Sequence, residues 1–109
     1  MKKMLLYALA AGAVIAFAAA GLAGESSKGM SGEELFKEHC ALCHPDGGNI
    51  INARKTLHKA DLEANGIRKS SDLIGIMRNP GPGMATFDKA TIPDKDARKI
   101  AEYVLKTFK

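Results

Sequence analysis

Tryptophan is absent, and four Phe and two Tyr are the only aromatic residues in the chain. A polypeptide of this size therefore has little side-chain bulk with which to fill a core, and a large bound apolar group would supply what is missing. No segment alternates apolar and polar residues over strand length, so sheet-based classes are set aside. Neither an internal repeat nor a run of like charge is present. The basic residues are scattered among acidic ones with no aromatic interleaving, which argues against a nucleic-acid partner. Cysteine is scarcer still, with only Cys40 and Cys43.

What is present begins with a leader. Lys2 and Lys3 precede an almost wholly apolar stretch from Met4 to Ala20, and small residues follow at Ala20, Gly21 and Ala23. This order, positive then apolar then small, predicts a secretory signal peptide over residues 1–23, cleaved after Ala20 or Ala23. Cleavage removes the one segment of near-membrane-spanning length and leaves no stable membrane insertion. No cysteine stands at the cut to take a lipid. Export also carries Cys40 and Cys43 to a compartment where free thiols oxidise, so both need a chemical destination. The mature part keeps all twelve acidic residues and loses Lys2 and Lys3, leaving a weakly basic chain.

Residues 24–30 read as a flexible lead, rich in Gly and Ser, and the domain as residues 31–109. Ser31 with Glu34 is a capping box, and Met30 with Leu35 a hydrophobic staple, so the first helix starts at Ser31 and runs through Leu35, Phe36 and Cys40. It unwinds near His44, because Pro45 disfavours helix at the residue before it. A loop from Asp46 to Lys55 leads to a short helix over Leu57 to Asn65, closed by Gly66. A third, capped by Ser70 or Ser71, carries Leu73, Ile74 and Met77 on one face and stops at Pro80. The last is the plainest. Ala97, Ile100, Ala101, Val104, Leu105 and Phe108 recur at helical spacing, with Asp94 and Asp96 in the first turn and Lys106 and Lys109 in the last. The fold class is all-α, about four helices with long loops.

Cys40-Ala41-Leu42-Cys43-His44 carries the chemistry. Two thiols at this spacing can each form a thioether to a vinyl group on one porphyrin edge, and the following residue brings an imidazole beneath the iron. A thioredoxin-like pair would need a βαβ frame, a structural zinc two more regularly spaced ligands, and a plain disulfide would leave His44 unexplained. The pattern therefore predicts one covalent haem c on Cys40 and Cys43, with His44 as an axial ligand. For the sixth position Met84 is the candidate, on the stiff loop Asn79-Pro80-Gly81-Pro82-Gly83, far enough along the chain to reach the other haem face. Met77 is the alternative, although it shares an apolar stripe with Leu73 and Ile74 and reads as core. Met30 reads as the staple, His39 and His58 as solvated surface groups.

These residues resemble the class I c-type cytochromes, and within them the cytochrome c6 family. Beyond the haem motif, the similarity covers the segment from Gly47 to Leu57 with Leu62-Glu63, the Met84 loop ending at Phe87, and Ala101 to Leu105. The resemblance implies that Gly32, Phe36, Ile100 and Tyr103 form the crossing of the first and last helices, with Gly32 letting the backbones approach and Phe36 packing on Tyr103. It departs from the family twice. Ala85 follows the methionine where the family usually has Pro, and Ile76 stands where the family has a haem-facing Gln.

The expected function is one-electron transfer between redox proteins by brief docking, with no substrate catalysis, by a monomeric soluble protein of the periplasm, or of the thylakoid lumen in a photosynthetic source. Arg54 and Lys55 are candidates to neutralise the haem propionates. The competing expectation is a haem-based sensor or gas-binding module with a labile sixth ligand.

Overall fold

The first helix, α1 (Gly32–His39), begins where two side chains exchange bonds with the backbone. The Glu34 amide donates to Ser31 Oγ at 3.1 Å, and the Ser31 amide donates to Glu34 Oε1 at 2.9 Å, closing the capping box read from the sequence. Met30, just before the cap, packs against the core that Leu35 enters. The computed structural model describes residues 29–109. The expected signal peptide at 1–23, its cleavage sites and residues 24–28 of the lead lie outside the described residues.

The helix ends at His39 rather than running through Cys40. Both the Cys40 and Ala41 amides converge on the Phe36 carbonyl, at 2.8 and 2.9 Å, and Cys40 leaves helical geometry with φ −122°. That widened turn lets Cys40 to Cys43 form a turn of their own. A short 3₁₀ turn over Pro45–Gly47 follows.

The second helix, α2 (Lys59–Ala64), is shorter than the expected span from Leu57. The Leu57 amide is drawn away to the Gly47 carbonyl at 2.7 Å, so the chain reaches helical geometry only after His58. Gly66 closes α2 as expected, in the left-handed region at φ +80°. In α3 (Ser70–Arg78) neither serine is the cap. Lys69 precedes the helix, and the Asp72 carboxylate accepts from the amides of Arg68 at 2.9 Å and Lys69 at 3.2 Å. A carboxylate is the stronger acceptor and sits at the positive end of the helix, which explains why it displaces a hydroxyl.

The fourth helix, α4 (Asp94–Thr107), buries Ala97, Ile100, Ala101 and Val104, the stripe that the spacing marks. It stops at Thr107, so Phe108 and Lys109 are not helical. Phe108 turns back instead: its carbonyl accepts the Lys59 amide at 3.1 Å and its ring lies 5.4 Å from Phe36, 5.8 Å from Tyr103 and 5.9 Å from His58. The described residues are all helix, turn and loop, as an all-α chain requires.

Helix α4 is the hub, packing against α1 on one side and α3 on the other. The α1 crossing depends on Gly32, where an added Cβ would run into the Lys99 carbonyl oxygen and lie 3.0 Å from Tyr103 Cβ. Phe36 stacks obliquely on Tyr103 at 5.4 Å, and Lys99 Nζ donates to the Met30 carbonyl at 2.9 Å. Leu73, Met77 and Ile92 fill the other side with Ile100 in one core.

Gly32→Ala should therefore force the two helices apart and cost about 1–3 kcal/mol, the usual range for overpacking. A fall in the urea midpoint at unchanged slope would register it; an unchanged midpoint would mean that the crossing tolerates a methyl group.

Candidate functional site

The Cys40 to Cys43 turn is held by the Cys43 and His44 amides, which both donate to the Cys40 carbonyl, at 3.2 and 2.9 Å. His44 is thereby carried into a buried position. Its Nδ1 lies 2.7 Å from the Gly48 carbonyl. A carbonyl can only accept, so Nδ1 holds the hydrogen and Nε2 is left with a free lone pair. Two of the three backbone positions between them make this approach possible. Asp46 at φ 52° and Gly47 at φ +80° are consecutive left-handed residues, and they swing the Gly48 carbonyl round to the ring.

Gly47 also has a packing role. A Cβ there would sit 2.6 Å from the Phe108 ring, so the C-terminal aromatic lies directly on the turn that orients His44. Cys40 is half-buried and burial pushes its thiol up to about 11, whereas Cys43 is exposed. Both thiols are free.

Met84 is half-buried in the loop between α3 and α4, directly after Gly83 at φ +93°. The neck of this loop is closed by the Phe87 amide donating to the Met77 carbonyl at 2.9 Å. Arg78 adds three further bonds, from Nη1 to the carbonyls of Phe87 at 3.1 Å and Ile92 at 2.8 Å, and from Nη2 to Asp94 Oδ1 at 2.7 Å. The loop meets the segment after His44, since a Cβ on Gly83 would lie 3.1 Å from Ile51 Cγ2.

Large apolar side chains are left uncovered around these elements: Leu42 inside the motif is 85% exposed, Ile50 and Ile51 are 62% and 61% exposed, and Ile76 on α3 is also exposed. Such exposure is costly unless an apolar surface covers it. Two free thiols on one turn, an imidazole nitrogen released by its partner, a thioether on the adjoining loop and uncovered aliphatic side chains fit a covalently attached haem.

The other expected residues divide. Met77 is buried in the core, as its stripe implies, and Met30 packs against it. Arg54 and Lys55 are exposed on the loop after His44. His58 is exposed as expected, but His39 is not a solvated group: its side chain is half-buried, edge-on to Phe87 at 6.1 Å, with Nε2 3.9 Å from Glu38. Gly48, Arg78 and Phe108 were not legible as site residues. The Gly47-Gly48 pair beside Pro45 was the available signal for the first, since adjacent glycines after a proline mark a turn of unusual backbone angles.

A family model described as cytochrome C oxidase, cbb3-type, subunit III matches residues 27–104. The cytochrome c6 of Nostoc sp. is 36% identical over 90 residues, which is 83% of this chain and 78% of that protein. The cytochrome c6 of Synechocystis sp. is 42% identical over 74 residues, 68% of this chain and 61% of the relative. Among solved structures, the outer membrane cytochrome F (OmcF) of Geobacter sulfurreducens is 54% identical with a TM-score of 0.71, over 72% of this chain and 100% of that one.

Three carboxylates brace α3 and the loop after Met84, each held below the usual carboxylate range: Asp72 by the Arg68 amide, Asp88 by the Thr91 amide and Asp94 by the Arg78 guanidinium. The folded chain then binds fewer protons than the unfolded chain, whose Asp groups titrate near about 3.9. Their stabilisation is complete above that pH and is lost as pH falls through the lower folded values. Asp94→Asn should be less stable than the parent at pH 7 and lose less on acidification, so that urea midpoints of the two converge toward pH 2. Parallel curves would remove Asp94 from the acid response.

Proposed function

Because this chain belongs to the class I c-type cytochromes, which carry one covalently bound haem c and transfer electrons without catalysing substrate chemistry, we propose that it is an exported carrier whose iron is held between His44 and Met84. The observation that carries the reading is the Nδ1 bond from buried His44 to the Gly48 carbonyl, which leaves Nε2 free immediately after the paired thiols. When bound, the haem supplies an iron that cycles between Fe(II) and Fe(III).

The chain's own residues do the rest. Cys40 and Cys43 hold the macrocycle by thioethers, so the cofactor is not lost on exchange between partners. Gly48, by fixing the ring orientation and tautomer of His44, would present Nε2 to the iron on one side. Met84 supplies a soft sulfur on the other, which favours the reduced state relative to a second histidine. With both positions filled, no site remains for a gas or a substrate. Leu42, Ile50 and Ile51, exposed in the chain alone, would supply apolar surface for the macrocycle. Ile76, standing where the family has Gln, removes an amide from the haem environment and makes the site less polar. Arg54 and Lys55, exposed on the loop after His44, would neutralise the propionates.

Export rests on the leader at 1–23, and the compartment we propose is the periplasm, or the thylakoid lumen in a photosynthetic source. No helix among the described residues is long and apolar enough to cross a membrane. The protein acts as a soluble monomer that docks briefly with redox partner proteins, in the manner of weak electron-transfer encounters.

The ferric parent should show the weak red charge-transfer band of methionine-ligated haem. Met84→Ala should lose that band and shift the reduction potential downward, whereas Met77→Ala should keep it while losing about 2–5 kcal/mol of stability to a core cavity. Persistence of the band in Met84→Ala would remove Met84 from the iron, and a five-coordinate parent spectrum would favour a ligand-binding module.

A further inference from the structure

The loop that bears Met84 has no regular secondary structure to hold its shape. It contains two prolines and two glycines within Asn79-Pro80-Gly81-Pro82-Gly83-Met84-Ala85-Thr86, and most of these residues are exposed. Prolines take donors out of the backbone ladder and glycines add freedom, so the bonds that fix it must come from its ends. They come largely from one side chain. Arg78 is the last residue of α3, and its guanidinium reaches the Phe87 carbonyl where the loop closes, the Ile92 carbonyl at the end of the following turn, and Asp94 at the start of α4. Three successive segments are thus held to the helix that precedes the methionine. The side chain is only 20% exposed, which protects these charge-assisted bonds from competing water.

We propose that Arg78 is a positioning residue that keeps Met84 on the haem iron, by clamping the far end of the loop against α3. This rests on the Met84 ligation proposed above. The energetic sense is one of populations. A loop tied only by the Phe87 to Met77 backbone bond opens more often, and an outside ligand then binds with an apparent affinity raised in proportion to the open fraction. A planar fork with several donors is needed. Lysine keeps the charge but cannot reach all three acceptors at once.

The test uses the haem-loaded ferric protein with imidazole as probe, read by loss of the red charge-transfer band. Arg78→Met should bind imidazole roughly ten- to a hundredfold more tightly than the parent, with Arg78→Lys in between. The band should also disappear on warming before helical circular dichroism is lost. If Arg78→Met does not fold, Asp94→Asn removes one arm of the clamp alone and should show a smaller shift in the same direction. Lys99→Met, which cuts the bond to the Met30 carbonyl and weakens the α1 crossing, should leave imidazole affinity unchanged. Equal imidazole affinity in the parent and both Arg78 variants, or an equal rise in Lys99→Met, overturns the clamp. A parent without the band that binds imidazole as Met84→Ala does overturns the ligation reading instead.

Discussion

The bond from His44 Nδ1 to the Gly48 carbonyl is the constraint on which the rest of this small domain is organised. To make it, the backbone must reverse within four residues, which requires left-handed angles at Asp46 and Gly47. The reversal leaves Gly47 bare, and the bare surface is covered by Phe108 from the far end of the chain. Phe108 in turn stands on Phe36 and Tyr103, the aromatic pair of the α1 and α4 crossing. One imidazole orientation is therefore supported through a continuous stack that ends in the α1 and α4 crossing at Gly32.

The methionine side is built on a different principle. Where His44 is oriented by packing and backbone geometry, the Met84 loop is held by charge: a guanidinium, two carbonyls and a carboxylate around an otherwise irregular segment. The contrast follows from composition. A loop dense in Pro and Gly has few side chains to pack, so a long polar side chain from the neighbouring helix supplies the order. Helix α3 contributes both parts of this arrangement, burying Met77 and Leu73 inward while its final residue secures the loop.

Much of the frame was legible from residue patterns. The capping box at Ser31 and Glu34, the buried stripe of α4 and the Gly66 cap all depend on near neighbours or on a period, and these are written directly in the sequence; the contact of Phe36 with Tyr103 came from the family resemblance instead. The errors lie where a distant group competes for a backbone amide or carbonyl. Leu57 has the pattern of α2 but its amide goes to Gly47; the sequence favours a serine cap at α3 but the Asp72 carboxylate takes the place; Phe108 continues the α4 stripe but its carbonyl serves Lys59. Arg78 and Gly48 were invisible for the same reason, since nothing in their local sequence states which carbonyls or rings they will meet. His39 shows the other side of the problem. Its charged neighbours suggest a solvated ring, and nothing nearby in the sequence states that it will meet Phe87.

The placement of Phe108 bears on the order in which the domain can be completed. Its partners Phe36 and Gly47 precede it by 72 and 61 residues, so the ring and the surface it covers come from widely separated segments. Contacts between such distant segments carry the full entropy of closing the intervening chain, so they form late. Until then the Gly47 turn that orients His44 lacks its cover, so the two ends of the described domain must meet before that turn is fully packed.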